Sequence, residues 1–266
     1  MANETVFNHR AEHYAKARPG YAPEVWVLFF RLVPAGKAAD MGSGTGIFAG
    51  PLMDRGLDVF CVEPNAEMRA QAVAKFAGNP HFFPVAAPAE DTGLPERSVD
   101  AVTAASALHW FDAAAFSREC RRILKPGGVL FFTINAREYD PFTQRQHALC
   151  AELCPGFTSL RHGLEKMLPM AETILGEGMN RASFDFPRTY SKENFLRLLL
   201  IKGKRNYKIR LEFPGQLIGK DNRIMAVITE RRRCCLPGHN LRPATGAYVR
   251  YHPGSSRLRP GAPLRL

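Results

Sequence analysis

The 266-residue chain has no stretch of the ~20 uncharged apolar residues that a membrane-spanning helix needs. Its most apolar early run, Val25 to Phe30, is closed by Arg31. The first residues lack the apolar segment of a secretory signal and carry Glu4, His9, Arg10 and Glu12 instead. Six cysteines are too few for a disulfide scaffold of this length, which predicts reduced thiols and a cytoplasmic setting. Metal-ligand spacing is missing as well. Cys150 and Cys154 have no second Cys/His pair nearby, Cys234 and Cys235 are adjacent, and His9 and His13 lack the Glu that a zincin places after its first His. No metal is expected, and no internal repeat is visible.

What remains is a globular composition, 45% hydrophobic, 10% aromatic and 23% charged. The length suits one domain, or one domain with an appendage. The net charge of +11 is unevenly placed. Residues 201–266 hold 15 Lys and Arg against only Glu212, Asp221 and Glu230. The first 200 residues are nearly neutral, with 21 basic and 22 acidic side chains. Charge therefore does not make the whole chain a nucleic-acid binder. Such binding is open only to the tail, where Arg231-Arg232-Arg233 with Tyr248, Arg250 and Tyr251 could meet phosphates and stack on bases.

Strand-like and helix-like segments alternate through the body. A polar helix is expected over 7–16, broken at Arg18-Pro19-Gly20. Val25, Leu28, Phe29, Leu32 and Val33 follow Pro23 at the spacing of an amphipathic helix. Short strands are expected at Ala38–Met41, Asp58–Val62, His81–Val85, Val99–Ala104 and Val129–Ile134. Helices are expected over 46–55, over 66–76 behind an Asn65 cap, and around Phe116, Cys120 and Ile123. Repeated βαβ units of this length predict an α/β fold, a doubly wound and mostly parallel sheet with helices on both faces. Further on, a helix is expected over Phe142–Leu153, a strand over Ser183–Thr189, a Ser191-capped helix over 192–201 and a strand over Arg223–Thr229. Beyond Arg231 the chain is rich in Pro, Gly and Arg, and no packed structure is expected.

The chemistry gathers at Asp40-Met41-Gly42-Ser43-Gly44-Thr45-Gly46, between the first strand and the helix after it. Glycines there let the backbone turn sharply and let a ligand approach the main chain. A loop alone is also compatible with a plain βα turn. Two carboxylates sharpen the reading: Asp40 immediately before the turn, and Glu63 at the end of the second strand, where an acidic side chain meets ribose hydroxyls. A dinucleotide fingerprint would place its last glycine at 47, which is Ile47, and no Lys or Arg occurs from 38 to 54. An acidic, glycine-rich pocket suits a cationic ligand with a ribose, a description that S-adenosylmethionine fits.

On these residues the chain resembles the class I S-adenosylmethionine-dependent methyltransferases, with a Rossmann-like sheet. The glycine loop, Val62-Glu63-Pro64-Asn65-Ala66-Glu67-Met68, Ala89-Glu90 with Leu94-Pro95, Ser98-Val99-Asp100-Ala101-Val102 and Leu124-Lys125-Pro126-Gly127-Gly128 stand in family order. Phe7, Ala11, Tyr14, Arg18-Pro19, Tyr21 and Ala107-Leu108-His109-Trp110-Phe111-Asp112 are similar to the small-molecule branch that includes trans-aconitate methyltransferase. The resemblance covers about residues 5–200. It implies that Gly42, Ser43, Gly44 and Gly46 lie beneath the methionine part of the cofactor and Asp40 near its ammonium. It also implies that Glu63, followed by Pro64, accepts from the ribose, and that Ala89 and Glu90 lie beside the adenine. Pro88 removes one main-chain donor there.

Methyl transfer from a sulfonium is a direct displacement, so the protein mainly aligns the partners and excludes water. His109 could act as a base or hold an anionic acceptor, or simply pack beside Trp110 and Phe111. Tyr14 and Arg18 fall on the segment that covers the cofactor in similar proteins. Arg137 could meet an acidic acceptor. The expected activity is methyl transfer to a small molecule, at a carboxylate or hydroxyl oxygen. RNA or protein methylation, and a catalytically inactive isoform with a divergent C-terminus, are the alternatives. The expected organisation is an N-terminal helical lid over 1–36, the cofactor-binding methyltransferase domain over 37–200, a connection and last strand over 201–230, and a basic tail over 231–266. Similar enzymes insert their last strand antiparallel between the fifth and sixth, and Ile224 to Thr229 could supply it.

Overall fold

The computed structural model describes residues 20–137, 141–153, 159, 162–176, 179–186, 188–189, 218–219, 222–230 and 249–250. Tyr14, Arg18, the helices expected over 7–16 and 192–201, Cys154, Cys234 and Cys235 lie outside them.

Five parallel strands form the centre: β1 (Lys37–Met41), β2 (Asp58–Val62), β3 (Phe82–Val85), β4 (Val99–Ala105) and β5 (Leu124–Arg137). Their spatial order is 3-2-1-4-5, so the chain reverses direction across the sheet between β1 and β4. Three helices connect them: α2 (Ala49–Met53), α3 (Ala66–Lys75) and α4 (Ala113–Ile123). An earlier helix, α1 (Pro23–Leu32), begins on its proline, whose fixed φ suits the first helical turn. The fold class is the expected one.

Neighbouring residues on each strand point to opposite faces. Ala38, Ala101 and Phe131 pack with Val25, Phe29, Phe48 and Leu52 on one side. Ala39, Val102 and Phe132 pack with Phe116, Cys120 and Ile123 on the other. Val25 and Phe29 of α1 are fully buried in the first cluster, so this helix, the described part of the segment expected over 1–36, packs into the core.

Boundaries shift where local chemistry competes. The helix expected over 46–55 shortens to Ala49–Met53, because Gly42, Gly44 and Gly46 all take positive φ and hold the preceding residues in turns. β5 starts at Leu124 rather than Val129. Leu124 pairs with Val99, and a bulge restores register at Val129 opposite Ala101. Nearby, Lys125 Nζ bonds both oxygens of Asp100 at 2.8 and 2.9 Å, and Asp100 accepts from the Lys37 amide at 2.8 Å. The Leu-Lys-Pro-Gly-Gly motif thus braces the amino ends of the strands, at the edge opposite the glycine loop.

Two more helices follow, α5 (Pro141–Leu153) and α6 (His162–Leu175). Leu164, Met167, Ala171 and Ile174 of α6 join the second cluster. The strand expected over Ser183–Thr189 is instead β6 (Met179–Asp185), with Arg188–Thr189 forming β7 against β8 (Ile218–Gly219). β9 (Asn222–Glu230) lies antiparallel to both β5 and β6 and fills the gap between them. β10 (Val249–Arg250) then pairs with Ala182 and Ser183 of β6. Apart from these two residues, the tail expected over 231–266 lies outside the described residues. Among the described residues no helix is long and apolar enough to cross a membrane.

Candidate cofactor and acceptor site

At the carboxyl ends of β1, β2 and β4 the structure brings together Asp40, the glycine loop, Glu63, Ala89, Glu90 and the turn bearing His109. In open α/β sheets this edge is where ligands bind.

Asp40 sits in β1, 1% exposed. Its Oδ1 accepts from Thr103 Oγ1 on the neighbouring strand at 2.7 Å, and its Oδ2 is buried with no partner. Burial pushes its pKa up to about 7, against the Thr103 hydrogen bond, and the nearby Glu63 carboxylate adds to the rise. A buried acceptor without a donor is costly, so Oδ2 is ready for a cationic donor.

The loop that follows is tight. Gly42 and Gly44 have φ of 63° and 59°. A Cβ on Gly42 would stand 2.8 Å from Ala107 Cβ and 3.2 Å from Phe111 Cζ. Glycine at 42 therefore lets the turn after β4 close onto the loop. A Cβ on Gly46 would overlap the Phe76 ring. The Ser43 amide donates to the Val62 carbonyl at 3.0 Å, which ties the loop to β2.

Glu63 ends up where the βαβ geometry requires, at the tip of β2. Its Oε2 accepts from the Gly44 amide and its Oε1 from the Asn65 amide, each at 2.9 Å. A carboxylate has about four acceptor positions, so capacity remains on both oxygens. Burial raises its pKa, while the two amides and Arg69 oppose the rise. Arg69 donates to the carbonyls of Glu63 and Pro64 at 2.7 and 3.1 Å. Asn65 caps α3 as expected, accepting from the Met68 amide at 2.9 Å.

Ala89 is buried. Glu90 has a contact that sequence reasoning did not foresee: its Oε1 accepts from the Asp112 amide at 2.8 Å. Asp112 in turn caps α4 by accepting from the Ala115 amide at 2.7 Å. The segment after β3 is thereby joined to the turn after β4.

His109 lies in a short 3-10 turn, Leu108–Trp110, half-buried, with its ring centroid 5.0 Å from that of Trp110. Gly163 of α6 faces it; a Cβ there would stand 3.4 Å from His109 Cε1. Just before this turn, Ser106 holds φ at 57° and its Oγ lies 3.2 Å from the Tyr21 hydroxyl. Left-handed backbone at a non-glycine residue is strained and concentrates at functional edges. Ser106 and Thr103 were missed from sequence, since only the fold gives them their partners. The side chain of Arg137 lies outside the described residues.

The sheet order and the placement of the acidic glycine loop define a Rossmann-like α/β fold. Comparison with known proteins points the same way: residues 39–132 match the family model described as a methyltransferase domain. An uncharacterized methyltransferase of Mycobacterium tuberculosis is 39% identical over 127 residues, 47% of this chain and 50% of that protein. A malonyl-[acyl-carrier protein] O-methyltransferase of Enterobacter lignolyticus is 32% identical over 145 residues, 53% of this chain and 56% of that protein. The chain thus spans about half the length of these curated relatives. Among solved structures, a phosphoethanolamine N-methyltransferase of Haemonchus contortus in complex with S-adenosyl-L-methionine superposes with a TM-score of 0.52 at 14% identity, over 87% of this chain and 60% of that one. The YcgJ protein of Bacillus subtilis gives 0.51 at 17%, over 80% and 100%. At these identities the likeness establishes the fold alone.

The residues fit S-adenosylmethionine. Asp40 offers an unpartnered buried carboxylate oxygen to an ammonium, and Glu63 keeps acceptor capacity for ribose hydroxyls.

Proposed function

We propose that the protein transfers a methyl group from S-adenosylmethionine to a small-molecule acceptor, at a carboxylate or hydroxyl oxygen. The observation that carries this reading is the buried acidic pair Asp40 and Glu63 flanking a glycine loop without Lys or Arg. That pair suits a cation with a ribose and repels a pyrophosphate. When bound, the cofactor supplies an electrophilic methyl on a sulfonium. Asp40 holds the ammonium end, Glu63 the ribose, and the main chain at Ala89 and Glu90 the adenine.

His109, beside Trp110 at the same edge, faces the acceptor. For a hydroxyl acceptor it takes the proton; for a carboxylate it positions the anion. Tyr14 and Arg18, which lie outside the described residues, keep the covering role that the resemblance implies. Oxygen as the methylated atom is supported by the relative named as an O-methyltransferase and by the likeness of the His109 segment to enzymes acting on small acids. The test is a labelled-methyl assay with metabolite extract, RNA and protein offered side by side. Label in a small acidic or hydroxylated fraction is the expected result. Label confined to RNA or protein overturns the small-molecule reading, and no label with any acceptor overturns the activity.

A further inference from the structure

Residues 86–98, between β3 and β4, form neither helix nor strand. They are fastened to α4 at two levels. At the first, Glu90 accepts from the Asp112 amide, as above. At the second, Glu119 reaches out from α4 and is 5% exposed. Its Oε1 accepts from the Thr92 amide at 2.9 Å, from the Thr92 hydroxyl, and from Arg122 Nη2 at 2.7 Å. Its Oε2 accepts from Arg122 Nε at 2.7 Å. Arg122 also donates Nη1 to the Leu94 carbonyl at 2.7 Å, and the Leu94 amide donates to Thr92 Oγ1 at 3.1 Å.

Four donors meet the acceptor capacity of one carboxylate, so Glu119 is committed to Thr92 and Arg122. An ion pair whose arginine is partly exposed is also no efficient source of stability, because solvent screening and desolvation offset its attraction. What the cluster does achieve is geometric. It fixes the main chain at Thr92 and Leu94, three and five residues beyond Ala89, through bonds whose lengths and angles are narrow.

We propose that Glu119, with Thr92 and Arg122, is a positioning residue for adenine recognition: it sets the place of the Ala89–Glu90 main chain against the base. This rests on the proposed cofactor reading. A main-chain N–H that reads adenine meets a ring nitrogen acceptor. Replacing the 6-amino group by oxygen turns that nitrogen into a donor and opposes the contact. A misplaced main chain loses this discrimination first.

The experiment is calorimetry on the full chain with two probes, S-adenosylhomocysteine and its inosine counterpart. The unmodified protein is expected to prefer the adenine compound by about tenfold or more, the value of one hydrogen bond to a buried partner. Glu119→Gln and Thr92→Val are expected to reduce that preference to roughly threefold or less, through weaker adenine binding, with inosine binding changed less than about twofold. A merely structural role weakens both ligands by one common factor, and that result, or an unchanged preference, overturns the proposal. Thr92→Val decides if Glu119→Gln does not fold, since it leaves the Glu119–Arg122 pair in place. Failure of the unmodified protein to bind either probe overturns the cofactor reading instead.

Discussion

At the scale of single residues, Asp40 and Glu63 carry the most testable chemistry. Asp40 has a pKa raised to about 7, so the folded protein holds a proton that the unfolded chain releases near the ordinary value of about 4. Its contribution to stability is full below that ordinary value and is lost as pH rises through about 7. Cofactor binding runs the other way, since an ammonium favours the ionised form. Affinity for S-adenosylmethionine should climb as pH rises through 7 and fall again near 8, where an α-amino group gives up its proton. Calorimetric titrations across that range test this, and Asp40→Asn should abolish the acidic limb. Glu63→Ala should weaken cofactor binding by about 1–3 kcal/mol through the lost ribose contact. An unchanged dissociation constant would remove the ribose assignment. Asp40, Glu63 and the glycines were legible because they stand at fixed distances along the chain. Thr103 and Ser106 were not, because strand pairing brings Thr103 to Asp40 and the packing of the segment before α1 brings Tyr21 to Ser106.

At the scale of elements, the glycine loop and the turn carrying His109 are one packed unit. Gly42→Ala would drive a methyl group against Ala107 and force a left-handed residue, a cost of about 1–3 kcal/mol. Because the clash falls on the His109 turn, both the melting temperature and kcat should drop; a variant with normal kcat would separate the two loops. The Glu119 cluster has its own acid sensitivity. Burial raises the Glu119 pKa, but Arg122 and Thr92 more than offset this, and the net direction is down. The stability it adds is therefore full above the ordinary carboxylate range and lost as pH falls below it. Thermal melts from pH 7 to pH 3 should lose less in Glu119→Gln than in the unmodified protein. Sequence periodicity found α4, whose Phe116, Cys120 and Ile123 are all buried. It missed α6, where Pro169 interrupts the pattern and only Leu164, Met167, Ala171 and Ile174 face the core. Likewise the Leu-Lys-Pro-Gly-Gly motif announces a family, yet its location at the amino ends of the strands is architectural.

At the scale of the whole molecule, the basic C-terminal region divides into a part that completes the sheet and a part beyond it. Truncation after Asp221 removes β9 and leaves β5 and β6 facing each other with open edges. Such a protein should aggregate and lose its cooperative transition, whereas truncation after Glu230 should retain one; melting followed by circular dichroism distinguishes them. If the Arg-rich stretch beyond 230 binds nucleic acid, that binding should fall steeply with salt and vanish in the shorter form. The sheet also imposes an order in time. β1 to β5 are joined by short crossovers and can assemble among themselves, but the antiparallel partner of β5 arrives only after α5, α6 and β6 have been traversed. Closing so long a loop is slow relative to local pairing. During synthesis, the apolar edge at Phe131, Phe132 and Ile134 therefore waits unpaired, and the half-made molecule is most exposed to self-association at the moment its cofactor site is already laid down.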